Sequence, residues 1–284
     1  MTLTTRFAPS PTGLLHLGHA HSALAGFSAA RAAGGRFLLR IEDIDPQRCR
    51  PEFTEAIFRD LDWLGLEWDG EVRIQSRHMA EYRAVQEALD ARGLLYPCVC
   101  TRGDIAAAGA APHGPDGPVY PGTCRDPTRA QRAARLAQPH ALRLDMARAL
   151  AAVPGELSFW EAGRGRLRCD PARFGDVVLA RKDTPASYHL CVTHDDAMQG
   201  VTLVTRGEDL LAATDVQRLL QALMGWPEPH YAHHRLLTDA GGRRLAKRDG
   251  AATLASLREA GLSPAEVRAM AGWPDQPAKS PSIA

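Results

Sequence analysis

A short apolar segment, a turn and a longer apolar segment follow one another at the start of the chain. Residues 4–8 predict a strand, and residues 36–42 predict a second, buried strand. Between them, a turn rich in proline and serine leads into a helix predicted from about Gly18 to Ala33, which a pair of glycines ends. Strand, helix and strand in this order indicate a βαβ unit of a parallel sheet.

The rest of the chain extends this pattern and predicts an α/β fold. The predicted elements are helices over residues 51–64 and 78–92, strands near 170–180 and over 201–205, and a helix after Thr214. Many glycines and prolines between Thr101 and Asp126 predict a loop. Residues 275–284 have the composition of a disordered tail.

Composition limits the partners that this chain can bind through its overall charge. The net charge is +1, so binding to nucleic acid would need a local basic patch. Residues 125–181 contain eleven arginines against six acids, which predicts either such a patch or an ordinary solvated surface. No run of about 18 apolar residues predicts a membrane span. The first residues carry no secretory signal, so we expect a cytoplasmic protein.

Three of the six cysteines cluster in sequence and suit a metal site. They are Cys98, Cys100 and Cys124. In a reducing compartment clustered thiolates favour metal over disulfides, and zinc takes four ligands in a tetrahedron. Their spacing leaves His113, Tyr120 or water as the fourth ligand. The alternative is two buried cysteines and one incidental one.

The segment between the first strand and the first helix suits phosphate. A helix N-terminus presents free N–H groups and the positive end of a dipole, and Gly18 would let a nucleotide approach the backbone. His16 and His19 are three residues apart, so both can point to one side of the helix start and donate to phosphate oxygens. The alternative is two surface histidines near a helix cap.

Basic and acidic residues elsewhere fit a triphosphate and an acidic amino acid. The segment 243–250 is basic and flanked by glycines, which predicts a mobile loop over a triphosphate or simply a solvated loop. A glutamate pocket needs a guanidinium for the side-chain carboxylate and an acid for the ammonium group. Arg6 on the first strand and Glu42 after the second strand are suitably placed, because ligands bind at the carboxyl ends of parallel strands.

Two motifs in this order resemble class I aminoacyl-tRNA synthetases. The segment RFAPSPTGLLHLGH resembles the first signature motif of that class, in the form of its glutamyl and glutaminyl branch. The segment RRLAKRDG resembles the second, whose glutamyl form is Lys-Leu-Ser-Lys. Here Arg244 replaces the first lysine and Ala246 the serine, which puts a hydroxyl role at that position in doubt. Lys247 matches the second lysine.

The resemblance implies a fold and a set of site residues. The fold is a Rossmann-type parallel sheet over residues 1–250, with an inserted zinc-bearing, acceptor-type subdomain at about 96–184. Residues 251–284 form a short helical stub and tail, without an anticodon-binding domain. Glutamate-binding residues are Arg6, Ala8, Ser10, Glu42, Tyr188 and Arg206; ATP-binding residues are His16, Gly18, His19, Arg244 and Lys247; catalytic residues are His16, His19 and Lys247; and zinc ligands are Cys98, Cys100, Tyr120 and Cys124.

The resemblance also implies a reaction. The enzyme would be a ligase that activates L-glutamate with ATP and Mg²⁺, without needing tRNA for that step. The short length resembles family members that transfer glutamate to queuosine at the wobble position of tRNA(Asp). We expect a monomer. Alternatives are a minimal synthetase that charges the 3′ end of tRNA(Glu), a nucleotidyltransferase with another acid substrate, and an inactive tRNA-binding paralogue.

Overall fold

The chain folds into two units, each assembled from separate stretches of sequence. The structure is a computed structural model that describes residues 2–107, 113–115, 117–237 and 252–274. The first unit comprises Met1–Ser76, Gly200–Leu211 and Pro229–Ala284, and the second comprises Arg77–Gln199 and Ala212–Glu228. The subdomain boundaries expected from the sequence stay a prediction.

Helices and strands are interspersed along the described part of the chain. The helices are α1 Leu17–Ala32, α2 Pro51–Trp63, α3 Met79–Ala91, α4 Arg102–Ala107, α5 Arg129–Leu136, α6 Met146–Ala151, α7 Tyr188–Met198, α8 Thr214–Met224, α9 Leu254–Glu259 and α10 Pro264–Met270. The strands are β1 Thr4–Phe7, β2 Arg36–Ile41, β3 Arg73–Ile74, β4 Leu95–Cys98, β5 His113–Gly114, β6 Gly117–Pro118, β7 Ala141–Leu144, β8 Ser158–Glu161, β9 Gly165–Arg168, β10 Val178–Ala180, β11 Leu203–Gly207 and β12 His230–His234. Among the described residues, no helix has the length and hydropathy that crossing a bilayer requires.

The first unit contains the βαβ unit that the sequence predicts. Strands β1, β2 and β3 lie in that order, and both pairs are parallel. Helix α1 connects β1 to β2, and all six residues of β2 except Arg36 are buried. The parallel pairing confirms the predicted parallel sheet. The apolar sequence of β2 suits a strand that is covered on both faces.

A second parallel pair, β11 and β12, lies beside β1 in this unit. The Thr202 amide donates to the Thr4 carbonyl oxygen at 2.9 Å. Gly26 on α1 faces this region, where an added Cβ would lie 2.9 Å from the Thr205 hydroxyl oxygen and 3.2 Å from the Phe37 ring. The absence of a side chain at Gly26 thus allows α1 to pack closely against the strands.

The last described helices complete the core of the first unit. Leu254 and Leu257 of α9 and Val267 of α10 are buried in the same apolar cluster as α1, β2 and α2. Arg258 donates to the Asp60 carboxylate at 2.8 Å, which joins α9 to α2. These contacts show that the C-terminal helices are a packed part of the first unit.

The second unit is built on an antiparallel sheet. Strands β10, β7 and β4 lie in that order, and β8 and β9 form an antiparallel hairpin. The structure corrects the prediction of an uninterrupted loop over residues 101–126, since α4 begins at Arg102. There Asp104 accepts from the Thr101 amide and hydroxyl and fixes the first turn.

The Asp60–Arg258 contact predicts a pH-dependent loss of stability. Burial raises the pKa of the fully buried Asp60 carboxyl, and Arg258 opposes that rise. The folded protein therefore holds this proton more tightly than the unfolded chain, so the stabilisation from Asp60 is greatest at low pH and is lost as the pH rises. Arg258→Ala should lower the free energy of unfolding by about 2 kcal/mol near pH 7, because a buried carboxylate loses its partner.

Urea unfolding of Arg258→Ala near pH 7 and near pH 5 checks this prediction. The loss should shrink at the lower pH, where Asp60 takes up a proton. Arg59→Ala is the matched control, because exposed Arg59 acts on Asp60 only through its charge and should cost under about 0.5 kcal/mol. An equal loss at both pH values would contradict the role given to Asp60.

Candidate active site and metal centre

The backbone between β1 and α1 is held from two sides. On one side, the amides of Glu42 and Arg50 donate to the carbonyl oxygens of Pro9 and Pro11, both at 3.0 Å. On the other, the Leu254 amide donates to the Leu15 carbonyl oxygen at 2.8 Å. The turn that the sequence predicts as a phosphate site is thus fixed by segments that are distant in sequence.

His16 and His19 lie together at the start of α1, as their spacing predicts. The Gly18 amide donates to His16 Nδ1 at 3.1 Å, and the His16 amide donates to His19 Nδ1 at 3.2 Å. The two rings lie 3.9 Å apart between centroids. Because each Nδ1 accepts a backbone N–H, each ring carries its proton on Nε2 and presents an N–H donor there. The Gly18 amide therefore serves the helix cap, and the assignment of Gly18 to the ATP site stays a prediction.

Arg6 and Arg206 are both buried on neighbouring strands of the first unit. The Arg6 Nη1 donates to the Thr205 carbonyl oxygen at 3.0 Å, at the peptide group that precedes Arg206. The Arg206 Nε donates to His233 Nε2 at 3.0 Å. His233 accepts that bond, so its own proton lies on Nδ1. Two buried guanidinium groups at one end of β1 and β11 form an environment that favours a carboxylate.

Glu42 lies directly after β2, where the sequence predicts an acid. Its carboxylate accepts from Arg40 Nη2 at 3.1 Å and from Arg40 Nε at 3.3 Å, and the Arg40 side chain is fully buried. The two side chains therefore form a buried ion pair. Asp43 has a local role, because it accepts from the Ser76 amide and hydroxyl.

The remaining predicted residues fall into three groups. Ala8 is half-buried and Ser10 is exposed, and both flank Pro9, which bonds to Glu42 through the backbone. Tyr188 belongs to the second unit, where it begins α7 with 36 % of its surface exposed, so it is not a core aromatic. Arg244 and Lys247 lie outside the described residues.

The cysteine cluster of the second unit brings the predicted metal ligands together. The Sγ atoms of Cys98, Cys100 and Cys124 all lie within 4.8 Å of one another, with Cys100 and Cys124 at 3.6 Å. Sulfurs at two corners of a zinc tetrahedron are about 3.8 Å apart, so this set fits such an ion. The Tyr120 hydroxyl oxygen lies 3.4 Å from Cys98 Sγ and 3.5 Å from Cys100 Sγ. The side chain of His113 is not among those described.

Burial and hydrogen bonds shift the pKa values of the thiols in this cluster. Burial raises the pKa of Cys124, but hydrogen bonds from Tyr120, the Val99 backbone and Cys100 outweigh it and bring that pKa to about 7. Burial raises the pKa of Cys100 to about 11. Arg143 lies over the Tyr120 ring, 3.8 Å from its centroid, and fixes the ring in place. The cluster can therefore supply one thiolate readily, and a bound cation would favour the others.

Comparison with known proteins identifies the family. Residues 2–272 match the family described as tRNA synthetases class I (E and Q), catalytic domain. The chain belongs to this family. The class I synthetase fold and the ligase chemistry of an aminoacyl-tRNA synthetase-like enzyme, both implied by the resemblance, are thereby confirmed.

Relatives and solved structures extend this match to most of the chain. The chain is 51 % identical over 282 residues to a glutamyl-Q tRNA(Asp) synthetase of Rhodobacter capsulatus, covering 95 % of this chain and 100 % of that protein. A protein of the same name from Symbiobacterium thermophilum is 45 % identical and is covered over 88 % of its length. The crystal structure of a glutamate tRNA ligase from Elizabethkingia meningosepticum matches 95 % of this chain at 27 % identity, with a TM-score of 0.79. The present synthetase-family chain spans 60 % of that ligase.

Sequence reasoning missed two supporting residues in this family member. Arg40 holds Glu42, and His233 holds Arg206. The signal for Arg40 is a lone arginine inside the apolar strand RFLLRI, since a fully buried guanidinium needs a partner. The signal for His233 is weaker, because three histidines occur in the five residues of β12.

The geometry of His16 predicts that its structural and chemical roles can be separated. His16→Ala removes the acceptor for the Gly18 amide and should lower the free energy of unfolding by about 1 kcal/mol. His16→Asn should lose far less, because asparagine is a favoured helix cap that accepts the same bond without the Nε2–H donor. Urea unfolding of both variants is the measurement. Equal losses in the two variants would contradict the capping role.

Proposed function

We propose that this enzyme activates L-glutamate with ATP and transfers the glutamyl group to queuosine in tRNA(Asp). The observation that supports this most strongly is the 51 % identity, over the full length of that relative, to a protein named glutamyl-Q tRNA(Asp) synthetase. His16 and His19 at the start of α1 could donate to phosphate oxygens. The buried Arg6 and Arg206 could bind a carboxylate. A minimal synthetase that charges tRNA(Glu) is the second candidate, since the matching solved structures are glutamate tRNA ligases.

Glutamate would be held by charges that are already paired in the first unit. Arg6 and Arg206 attract the side-chain carboxylate, and Glu42 receives the ammonium group beside Ala8 and Ser10. Tyr188 stays a predicted glutamate-binding residue. Since Arg40 and His233 hold two of these groups, the pocket would be preorganised before glutamate binds.

The first step joins glutamate to AMP. An oxygen of the glutamate α-carboxylate attacks the α-phosphorus of ATP, and the bond from that phosphorus to the bridging oxygen of pyrophosphate breaks. The Nε2–H groups of His16 and His19 donate to phosphate oxygens as charge builds on them. Magnesium bound with ATP neutralises phosphate charge. Gly18, Arg244 and Lys247 complete the ATP site in this proposal.

Chain connectivity supports a place for Lys247 near the histidines. Thr253 forms a β-bridge with His16, so the segment after Lys247 returns to the start of α1. Six residues span at most about 20 Å, which is within reach of a bound triphosphate. A lysine there would stabilise the leaving pyrophosphate.

The second step passes the glutamyl group to RNA. A ring hydroxyl oxygen of queuosine attacks the carbonyl carbon of the mixed anhydride, AMP leaves, and the hydroxyl proton passes to AMP or solvent. The enzyme forms no covalent intermediate, so it acts by positioning and electrostatics.

Two linked assays test the proposal. ATP–pyrophosphate exchange should depend on L-glutamate, should need no tRNA, and should fall about 10²-fold or more in Lys247→Ala. Transfer of radiolabelled glutamate should then occur with tRNA from queuosine-containing cells and not with tRNA from cells that lack queuosine. Exposed Arg83 on α3 provides the control Arg83→Ala, which should exchange at the wild-type rate.

The outcomes separate the candidates. Transfer that is equal with both tRNA preparations and is lost on periodate oxidation of the 3′ end would favour the minimal synthetase. Exchange with another carboxylic acid and none with glutamate would point to a different nucleotidyltransferase. An absence of exchange with any acid would leave only the inactive paralogue.

We also infer that one structural zinc ion per chain occupies the cysteine cluster. Cys98, Cys100 and Cys124 would hold it as thiolates, and Tyr120 would be the fourth ligand, because its hydroxyl oxygen already lies among the three sulfurs. A zinc ion there would tie β4 to the segment around Cys124 within the second unit. Its contribution would be to folding and not to the reaction.

Metal analysis of protein purified without chelator should return one zinc per chain. Cys100→Ser should lose most of the zinc and lower the melting temperature, and Tyr120→Phe should weaken zinc binding by about ten- to a hundredfold. Cys169→Ser is the matched control, since Cys169 is a buried cysteine outside the cluster. If Tyr120→Phe binds zinc as tightly as the wild type, the fourth ligand is another group. If the wild-type protein contains no zinc, the proposed zinc site is refuted.

A further inference from the structure

A β-hairpin of the second unit presents two different faces. Strands β8 and β9 pair through the registers Ser158↔Arg168, Phe159↔Leu167, Trp160↔Arg166 and Glu161↔Gly165. Gly163, in the three-residue turn, has φ of +73°. Side chains opposite each other in an antiparallel pair share a face, and alternate residues point to opposite faces. One face therefore carries Trp160 with two arginines, and the other carries Phe159 and Glu161.

Burial follows this alternation. Phe159 and Glu161 are buried, with 2 % and 1 % of their surface exposed. Trp160 lies between them in sequence and has 46 % of its surface exposed, while Arg166 and Arg168 are also exposed. Tryptophan and arginine are both enriched at binding interfaces, so an exposed indole flanked by arginines makes this face a candidate for binding a partner.

The exposed face is strongly basic. The eleven residues from 158 to 168 contain three arginines and one acid, and that acid, Glu161, lies on the buried face. Arg164 is exposed in the turn. Arg168 pairs with Glu156 at 2.8 Å where both side chains are mostly exposed, and such pairs contribute little and exchange readily for a phosphate.

Residues outside the hairpin help to hold it in place. Arg218 of α8 donates to the Ser158 carbonyl oxygen at 3.0 Å and pairs with Glu228 at 3.1 Å. Arg166 lies farther from Glu228, at 3.8 Å, and donates to the Ser158 hydroxyl at 2.7 Å. The bond from Arg218 thus holds the backbone of β8 without using Arg164, Arg166 or Arg168.

The chemistry of this face fits single-stranded RNA. An exposed indole stacks on the face of an unpaired base, and guanidinium groups on either side bind the adjoining phosphates. A regular RNA duplex buries the faces of its bases and would use the arginines alone. An acidic peptide would match the charge but would offer no flat π-surface to Trp160.

We propose that Trp160 stacks on an unpaired base of the RNA substrate, with Arg164, Arg166 and Arg168 binding its neighbouring phosphates. This inference rests on the proposed function, in which a tRNA is the acceptor. The surface lies outside the glutamate and ATP residues assigned above, so its effect should appear in RNA binding and transfer and not in glutamate activation.

Fluorescence titration of the full chain with an RNA stem-loop carrying the anticodon sequence of tRNA(Asp) tests the proposal. Trp160→Ala should weaken binding about tenfold, and Trp160→Phe should retain most of it, because a phenyl ring still stacks. Tryptophan emission should be quenched on binding in the wild type, and part of that quenching should be missing in Trp160→Phe. Arg164→Ala should reduce the slope of log affinity against log salt by about 0.7.

Matched controls separate this surface from general effects. Met198→Ala removes another exposed apolar side chain of the second unit, and Arg83→Ala removes another exposed arginine; neither should change binding. Blunt duplex RNA should bind the wild type and Trp160→Ala equally. All variants should keep the wild-type rate of glutamate-dependent pyrophosphate exchange, which shows that they are folded.

Four results would overturn the inference. Trp160→Ala that binds the stem-loop as tightly as wild type, while the wild type exchanges and transfers normally, would refute it and leave the proposed function intact. If Trp160→Ala loses equal affinity for the duplex and for the stem-loop, the face binds RNA through its charge alone and not by stacking. Polyglutamate that displaces RNA from the wild type but not from Trp160→Ala would indicate an acidic protein partner. Wild type that activates glutamate but binds no RNA would refute both this inference and the proposed transfer.

Discussion

Three backbone hydrogen bonds hold the turn between β1 and α1, and the candidate active site depends on them. They join Pro9 to Glu42, Pro11 to Arg50 and Leu15 to Leu254. Backbone amides bonded in this way leave the turn little freedom, so the two histidines that follow keep a fixed direction. Because the start of α1 is already ordered, phosphate binding there would not incur the entropy cost of ordering the turn. The C-terminal helices belong to the site for this reason, although they supply none of its assigned residues.

Buried charge gives the first unit its chemical character. Arg6, Arg40 and Arg206 are buried with Glu42, so three guanidinium groups accompany one carboxylate. Removing such groups from water is costly, and the cost is offset only where each one has partners. The Thr205 carbonyl, Glu42 and His233 supply those partners. Buried guanidinium groups that are held in this way favour an anionic ligand, which agrees with an acidic amino acid as substrate.

The sequence predicts the local elements of the fold well and their assembly less well. Helix α1 and strands β1 and β2 follow from apolar runs bounded by glycine and proline, because these are local signals. The closeness of Cys98 and Cys100 is local in sequence, whereas the approach of Cys124 to them is a tertiary contact that the spacing only suggests. Helix α7 was not predicted, because its buried His194 and Asp195 obscure the apolar period. The pairs Arg40–Glu42 and Arg206–His233 depend on side-chain direction and tertiary packing, which no local pattern specifies.

The division into two units has a topological origin. Parallel strands need a crossover connection, and the crossover from β11 to β12 contains α8, which belongs to the second unit. The chain therefore leaves the first unit twice, after Ser76 and after Leu211, and returns each time. A single cut cannot release either unit intact. Arg206 lies on β11, the segment on which the chain first returns to the first unit, so the bond from Arg6 to the preceding Thr205 carbonyl joins positions 199 residues apart in sequence.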